Sequence, residues 1–129
     1  MSEIPAKLRY TEDHEWVSVT DGVATIGITF HAQDQLGDVV YLGDFPDEGD
    51  GVEQGDVVGV VESVKATSDI YSPVTGEIVE VNSDLDDSPE LVNSDPYDGG
   101  WLIKIRLADE GELDDLLSPG DYKALIEQA

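Results

Sequence analysis

Cysteine is absent from this chain of 129 residues, and histidine occurs only twice. Without thiols the chain forms no disulfide, thiolate nucleophile or zinc ribbon, and two histidines do not make a His-rich metal site. Basic residues are also scarce, because six Lys and Arg stand against 30 Asp and Glu, a formal net charge of −24. Such a field repels the phosphates of nucleic acids and anionic membrane surfaces. We therefore expect no metal site, no nucleic-acid partner and no membrane partner.

Long apolar runs are missing as well, and no segment approaches the length that spans a membrane. The first residues, Met-Ser-Glu-Ile-Pro-Ala, lack the basic start and apolar core of a signal peptide. Apolar residues nevertheless make up 40 % of the chain, too many for a disordered acidic polymer. A chain of this length suits one domain with its own core. These features predict a soluble, intracellular single domain.

The excess of acidic residues has two explanations that are compatible with each other. A highly negative surface repels itself in dilute buffer and is screened in strong salt, where the Debye length falls to roughly 3 Å near 1 M. This favours a salt-adapted, halophilic organism with a high-salt cytoplasm. The other explanation is a small acidic carrier that docks on basic faces of enzymes.

Frequent turn signals between short apolar runs predict a mainly β fold. The predicted strands are 16–19, 23–28, 38–42, 57–64, 70–71, 78–81 and 101–107, with 45–56 a loop that holds at most one short strand. In the last strand, alternation predicts one face formed by Trp101, Ile103, Ile105 and Leu107. A short helix is predicted from its cap Thr29 to Gly37, a long acidic loop over 83–100, and helices over 109–117 and 118–126. Together these elements predict a β-sandwich or flattened barrel with small helical additions.

One lysine stands alone in the acidic part of the chain. Lys65 is the single basic residue between Arg9 and Lys104, an interval with 22 acidic residues. Apolar runs flank it, and small polar residues follow at 66–68, a layout typical of a hairpin with the lysine at its turn. A hairpin tip exposes and fixes an amine, which a modifying enzyme requires. The alternative is a solvated lysine that offsets nearby acids; catalysis by Lys65 is disfavoured because surrounding carboxylates favour its protonated form.

The segment Val61-Glu62-Ser63-Val64-Lys65-Ala66-Thr67-Ser68-Asp69 resembles the lipoyl-attachment hairpin of glycine cleavage system H proteins. Further blocks resemble that family in the same order: His14-Glu15-Trp16, 23–29 with His31-Ala32-Gln33, Leu36-Gly37-Asp38, 88–93 and 96–101. The resemblance covers the chain from Leu8 to the final helix. Biotin carriers usually place Met on both sides of the lysine, and lipoyl domains of acyltransferases usually place Asp before it. Here Val64 and Ala66 flank Lys65, which disfavours both relatives.

The resemblance implies a barrel-sandwich hybrid of the lipoyl/biotinyl-attachment superfamily, with two antiparallel sheets and short helices that include C-terminal helices. It implies a single domain over 1–129, with the lipoyl hairpin at about 57–74 and a helical tail at about 109–128. Lipoic acid would be joined to Lys65 through an amide. The protein would be a carrier with no catalytic residue, a monomer in a prokaryotic cytoplasm.

The resemblance also implies partners in one-carbon metabolism. A pyridoxal-phosphate glycine decarboxylase would load the aminomethyl group of glycine on the carrier. A tetrahydrofolate-dependent aminomethyltransferase would unload it, dihydrolipoamide dehydrogenase with FAD would reoxidise the arm, and a lipoate ligase or lipoyl/octanoyl transferase would attach it. One alternative is an H-like relay that hands lipoate to other complexes. Another is an unmodified acidic interaction module.

Finally, the resemblance implies a cleft that shields the cationic cargo. Carboxylates hold an ammonium group by charge-assisted hydrogen bonds, and the candidates for this cleft are Glu15, Asp69, Asp13 and His31. Each has a plainer reading, since Glu15 would also suit an exposed strand, Asp69 a turn cap, and the two histidines structural hydrogen bonds. Trp16 and Trp101 are expected to be core or interface anchors. Glu62 and Ser63 are expected to serve recognition by the lipoylating enzyme or the partners.

Overall fold

The computed structural model describes residues 8–43, 45–97 and 99–127. Within them the strands are β1 Arg9–Tyr10, β2 Glu15–Thr20, β3 Val23–Ile28, β4 Val39–Gly43, β5 Gly51–Val52, β6 Val57–Ser63, β7 Thr67–Tyr71, β8 Gly76–Val81 and β9 Ile103–Leu107. The α-helices are α1 Phe30–Leu36, α2 Asp84–Asp87, α3 Leu91–Ser94 and α4 Pro119–Glu127, and a 3-10 helix covers Glu110–Asp115. None of the helices in this part of the chain has the length and apolarity needed to cross a bilayer.

The strands form two antiparallel sheets, as the sequence predicts. One sheet has the order β1-β2-β3-β9-β8-β5, and the other has the order β4-β6-β7. The turn between β2 and β3 has positive φ at Asp21 (53°) and Gly22 (79°), the conformation that an Asp-Gly pair favours in a tight hairpin between the two predicted strands. The predicted fold class is therefore confirmed, and the C-terminal part ends in a helix.

The core lies between the two sheets. Apolar side chains from both are almost completely buried there, among them Val17, Ile26, Val58, Ile70, Ile78 and Ile105. Burial of each such side chain stabilises the fold by about 1.5–3 kcal/mol. A second cluster of buried aromatic residues, Tyr10, Trp16 and Tyr122, joins β1 and β2 to α4. This second cluster holds the C-terminal helix against the sheet.

The helix predicted after Thr29 is present as α1. The Thr29 hydroxyl accepts a hydrogen bond from the Ala32 backbone N–H at 3.2 Å, so Thr29 caps the helix as expected. Gly37 follows the last helical residue with a φ of 76°, the left-handed conformation that ends many helices. The predicted cap and the predicted end of α1 are thus both confirmed.

The prediction of one long surface loop over 83–100 was wrong. This segment contains α2 and α3, and they bury Leu85 (1 % exposed) and Val92 (0 %) in the main core. The Asn93 side chain accepts from the Val39 N–H and donates to the Gly37 carbonyl, both at 2.8 Å. The acidic composition and the two prolines of this segment favoured the prediction of a loop. In addition, each helix is only one turn long and therefore has no periodic pattern that would predict it.

Two further predictions need correction near the C-terminus. The segment 109–117 forms a 3-10 helix limited to Glu110–Asp115 rather than a longer helix. Trp101 precedes β9 and packs on the aromatic cluster, so it does not continue the face of Ile103 and Ile105. The alternation breaks at Leu102, which is fully buried while its N–H donates to the Ile26 carbonyl at 2.7 Å.

Candidate functional site

Lys65 lies at the tip of the β6–β7 hairpin. The strands pair in antiparallel register up to Glu62 opposite Thr67. The Ser63 N–H donates to the Ala66 carbonyl at 2.8 Å, and the Ser63 hydroxyl accepts from the N–H groups of Lys65 (3.2 Å) and Ala66 (3.1 Å). Ser63 is therefore the residue that builds the turn presenting Lys65.

The Lys65 side chain is exposed and passes close to the end of α1. A Cβ placed on Gly37 would lie 3.3 Å from the Lys65 Cε, so the lysine stem runs directly over this glycine. The ion pairs in the described residues join Lys104 to Glu80 and Arg106 to Glu77, each at 3.8 Å, and none includes Lys65. The amine of Lys65 is thus displayed without a fixed ionic partner among these residues.

A cleft of about 370 Å³, here called the β7 cleft, opens between β7, α1 and the turn that leads into β2. Among its lining residues are three predicted carboxylates, Asp13, Glu15 and Asp69. Its apolar and polar walls also include Ile28, Leu36, Val61, Ser68 and Tyr71. The fold thus gathers carboxylates from two distant parts of the sequence in one cavity.

Glu15 is only 2 % exposed, which contradicts the reading of Glu15 as an exposed strand residue. Its Oε1 accepts from the Thr11 hydroxyl at 3.0 Å, and its Oε2 accepts from the Tyr71 N–H at 2.8 Å. Burial raises the pKa of Glu15 to about 7 against these two hydrogen bonds, which favour the ionised form. The carboxyl group therefore ties the turn before β2 to strand β7.

Asp13 and Asp69 are exposed members of the same cleft. Asp69 lies inside β7, opposite Val60 of β6, so it does not cap the hairpin turn as the alternative reading held. Asp13 lies in the turn before β2, where its N–H donates to the Thr11 hydroxyl at 3.2 Å. Both carboxylates are available to a cation that enters the cleft from solvent.

His31 is not among the residues that line the β7 cleft. Its ring packs on the ring of His14, with centroids 4.7 Å apart. His14 does line the cleft, and its Nδ1 lies 2.8 Å from the Tyr122 hydroxyl. Sequence reasoning assigned His14 only a structural hydrogen bond and assigned no role to Tyr122, because 108 positions separate these two residues.

Glu62 and Ser63 are half-buried at the end of β6. Glu62 pairs with Tyr41 of β4 on one side and Thr67 of β7 on the other. Val64, beside the lysine, is 67 % exposed. The tip therefore offers an exposed apolar residue and an exposed lysine next to a half-buried acid.

The tryptophans have the anchoring role expected of them. Trp16 is 2 % exposed, and its indole N–H donates to the Pro96 carbonyl at 2.9 Å. Trp101 packs on the same aromatic cluster, and the Lys104 ammonium lies 4.9 Å from the centroid of its ring. These contacts fix Pro96 to β2 and Trp101 to β9.

Comparisons with known proteins agree on one family. The family described as "Glycine cleavage H-protein" matches residues 8–129. A glycine cleavage system H protein of Alcanivorax borkumensis is 63 % identical over 127 residues, and one of Escherichia coli O7:K1 is 57 % identical over 128 residues, each covering 98 % of both chains. The crystal structure of a glycine cleavage system H protein from Mycobacterium marinum has a TM-score of 0.88 and 38 % identity, covering 96 % of this chain and 99 % of its own.

Proposed function

Because the chain belongs to the glycine cleavage H-protein family and is a lipoylated carrier subunit of the glycine cleavage system, we propose that Lys65 carries the lipoyl group. The family resemblance found in the sequence, the carrier role and the lipoyl cofactor are thereby confirmed. The proposal covers the position of the attachment, the residues that receive the arm and the individual partners. The observation that supports them is the exposed lysine at a rigid hairpin tip beside an acidic cleft.

Lys65 fits the attachment site better than the other described lysines. Lys104 lies on a strand, where it pairs with Glu80 and packs over Trp101. Lys123 lies on α4. Lys65 alone among these three occupies a turn, which the Ser63 hydroxyl holds through three hydrogen bonds. A modifying enzyme therefore meets this amine in one fixed backbone conformation.

The residues around Lys65 are compatible with a long amide-linked arm. Gly37 leaves the space that the lysine stem occupies, and amide formation removes a charge that has no fixed partner among the described residues. When bound, the lipoyl group supplies the disulfide that takes up the aminomethyl group. The absence of cysteine from the chain means that no internal thiol competes in exchange with it.

The β7 cleft is proposed as the place where the loaded arm rests. Asp13 and Asp69 have exposed carboxylates that accept hydrogen bonds from an ammonium group. Glu15 already uses both oxygens on Thr11 and Tyr71, so its contribution is to hold the cleft in shape and to add negative charge when ionised. His31 lies behind His14 and supports the wall rather than lining it.

The partners proposed for this carrier follow from its family. Glycine decarboxylase with pyridoxal phosphate loads it, aminomethyltransferase with tetrahydrofolate unloads it, and dihydrolipoamide dehydrogenase with FAD reoxidises it. A lipoate ligase or lipoyl/octanoyl transferase modifies Lys65, and we assign its recognition to Glu62, Ser63 and the fold of the hairpin. The net charge of −24 suits weak, salt-sensitive docking on basic surfaces. This proposal places the carrier in the cytoplasm as a monomer.

The test of the attachment site is the intact mass of the protein purified from its own host, grown with glycine, followed by fragmentation. A lipoyl increment on Lys65 that disappears in Lys65→Arg supports the proposal. The variant Lys123→Arg is the matched control and should keep the increment. An unmodified mass, or an adduct on another lysine, would contradict the assignment. Glycine–bicarbonate exchange with the decarboxylase then separates the glycine role from lipoate relay.

A further inference from the structure

A chain of buried hydroxyl groups ends on the imidazole that lines the β7 cleft. The Thr29 Oγ1 and the Tyr122 hydroxyl oxygen are 2.7 Å apart, and the Tyr122 hydroxyl lies 2.8 Å from His14 Nδ1. Thr29 and Tyr122 are both 0 % exposed. Solvent therefore does not complete the hydrogen bonding of either hydroxyl, and their protons must be placed within this chain.

The direction of the chain follows from counting donors and acceptors. The Thr29 hydroxyl already accepts from the Ala32 N–H, and Tyr122 supplies the one further partner found for it in the described residues. If Tyr122 donated to Thr29, the Thr29 proton would have no acceptor, a penalty that buried polar groups rarely carry. The arrangement that satisfies every group has Thr29 donating to Tyr122 and Tyr122 donating to His14 Nδ1.

This direction determines which nitrogen of the His14 imidazole carries the hydrogen. A neutral imidazole carries one hydrogen, and a nitrogen that accepts a hydrogen bond does not carry it. His14 Nδ1 accepts, so the hydrogen is on Nε2. His14 lines the cleft, so the donor nitrogen belongs to a residue of the cleft wall.

The backbone of His14 holds the ring in this place. His14 has a φ of 68°, a conformation uncommon for a residue with a side chain. Its N–H donates to the Thr11 carbonyl at 3.1 Å, and its carbonyl accepts from the Thr29 N–H at 3.0 Å. The His31 ring packs against it from α1, and the Tyr122 ring meets it edge-on. The imidazole is therefore constrained on several sides rather than free to turn.

We propose that Tyr122, hydrogen-bonded to Thr29, locks the tautomer of His14, which makes His14 a hydrogen-bond donor and not a hydrogen-bond acceptor towards the β7 cleft. Tyr122 and Thr29 are positioning residues in this scheme, since they act through His14. The meaning of the lock rests on the proposed function. An imidazole locked as the Nε2–H form presents no lone pair to an ammonium group in the cleft, so the carboxylates of Asp13 and Asp69 are left as its hydrogen-bond acceptors.

The electrostatic surroundings of His14 support a neutral ring. Burial lowers the pKa of His14, the neighbouring His31 lowers it further, and Asp13 opposes both. The Tyr122 hydroxyl faces the ring from α4, His31 faces it from α1, and the carboxyl groups of Asp13 and Glu15 adjoin it in sequence. Protonation of Nδ1 would also force the Tyr122 hydroxyl to turn away, which would leave the Thr29 proton without its acceptor.

The test is nitrogen-15 NMR of the imidazoles in the full chain, lipoylated and unmodified, near neutral pH. The wild type should show His14 as the single Nε2–H tautomer in both forms. Tyr122→Phe should give a mixture of tautomers and a higher pKa for His14. Thr29→Val should keep the Nε2–H tautomer, because the buried Tyr122 proton then has His14 Nδ1 as its acceptor. Thr29→Ser keeps the hydroxyl and should give the wild-type spectrum. Tyr71→Phe alters a residue of the cleft wall that takes no part in the Thr29–Tyr122–His14 hydrogen bonds and should also match the wild type.

Melting curves separate the lock from a loss of fold. Tyr122→Phe should remain folded, so that its spectral change reports the loss of the lock. Thr29→Val also loses the cap of α1, and we expect a lower melting temperature with an unchanged tautomer for it. A wild-type His14 in the Nδ1–H form, or an unchanged tautomer in a folded Tyr122→Phe, would overturn the proposal. Because the unmodified protein gives this result without lipoate, failure here leaves the assignment of Lys65 unaffected.

Discussion

The carboxyl group of Glu15 and the backbone N–H of Tyr71 are joined by a hydrogen bond of 2.8 Å. Glu15 begins β2 and Tyr71 ends β7, so the bond joins an element of the larger sheet to the edge strand of the smaller one. The same carboxyl group also accepts from Thr11. The floor of the β7 cleft is therefore a contact between the two sheets, which makes cleft shape and fold stability interdependent.

Glu15 should give the protein a measurable pH dependence of stability. Its pKa is about 7 in the folded protein against 4.5 as the ordinary value. A carboxyl whose folded pKa is raised contributes its stability below the unfolded pKa and loses it as pH rises through the folded pKa. We expect the free energy of unfolding to fall by about 3 kcal/mol between these limits through this group, measured by urea denaturation.

The Glu15→Gln variant isolates this dependence from the many other carboxylates. It retains an acceptor for the Tyr71 N–H but does not ionise, so its unfolding free energy should change less between mildly acidic and neutral pH. Asp69→Asn removes an exposed carboxylate of the same cleft and should keep the wild-type slope. Equal slopes in the wild type and in Glu15→Gln would show that Glu15 ionises at its ordinary pKa in the folded state.

We expect a substitution at Gly37 to slow the lipoylation of Lys65, an effect that backbone strain alone does not explain. It has a φ of 76°, and an added methyl group would lie 3.3 Å from the Lys65 Cε. Gly55 has a φ of 93° with open space around it, so the two share the left-handed strain of about 1–2 kcal/mol for a residue with a Cβ. We expect similar losses of stability for Gly37→Ala and Gly55→Ala. Lipoylation of Lys65, measured over time by mass spectrometry, should be slower in Gly37→Ala and unchanged in Gly55→Ala. Equal lipoylation rates would mean that the lysine stem needs no space over Gly37.

The hairpin, the cap of α1 and most strands were predictable because their signals are local. Asp21-Gly22 and Thr29 act through neighbours within a few residues, and the segment around Lys65 carries its family pattern continuously. The burial of Glu15 and the contact of His14 with Tyr122 were not predictable, since each depends on partners 56 or more positions away. The short helices α2 and α3 were missed because tertiary contacts of Leu85 and Val92, rather than periodicity, stabilise them.

We expect the Asn93 side chain to stabilise the region of α2 and α3, acting as a clamp between α3 and the segment that joins α1 to β4. Its side chain bonds the Val39 N–H and the Gly37 carbonyl, so it fixes the segment between α1 and β4 to α3. Asn93→Ala leaves these half-buried backbone groups without the partner, and we expect a loss of about 1–3 kcal/mol in unfolding free energy. Ser94→Ala, at an exposed position of the same helix, should change it by less than about 0.5 kcal/mol. Similar losses in both variants would assign the effect to the helix rather than to the clamp.

Salt should stabilise this protein strongly if its acidity is an adaptation to a salt-rich cytoplasm. The net charge is −24, and the two ion pairs in the described residues are exposed pairs at 3.8 Å that offset little of it. Molar potassium chloride shortens the Debye length to roughly 3 Å and screens the repulsion between carboxylates. We expect a higher melting temperature in molar potassium chloride than in dilute buffer.

The same gain in sodium chloride would identify screening as its cause, because screening depends on ionic strength rather than on the cation. Equal melting temperatures in dilute and molar salt would remove salt adaptation as the reason for the charge and leave docking on basic enzyme surfaces.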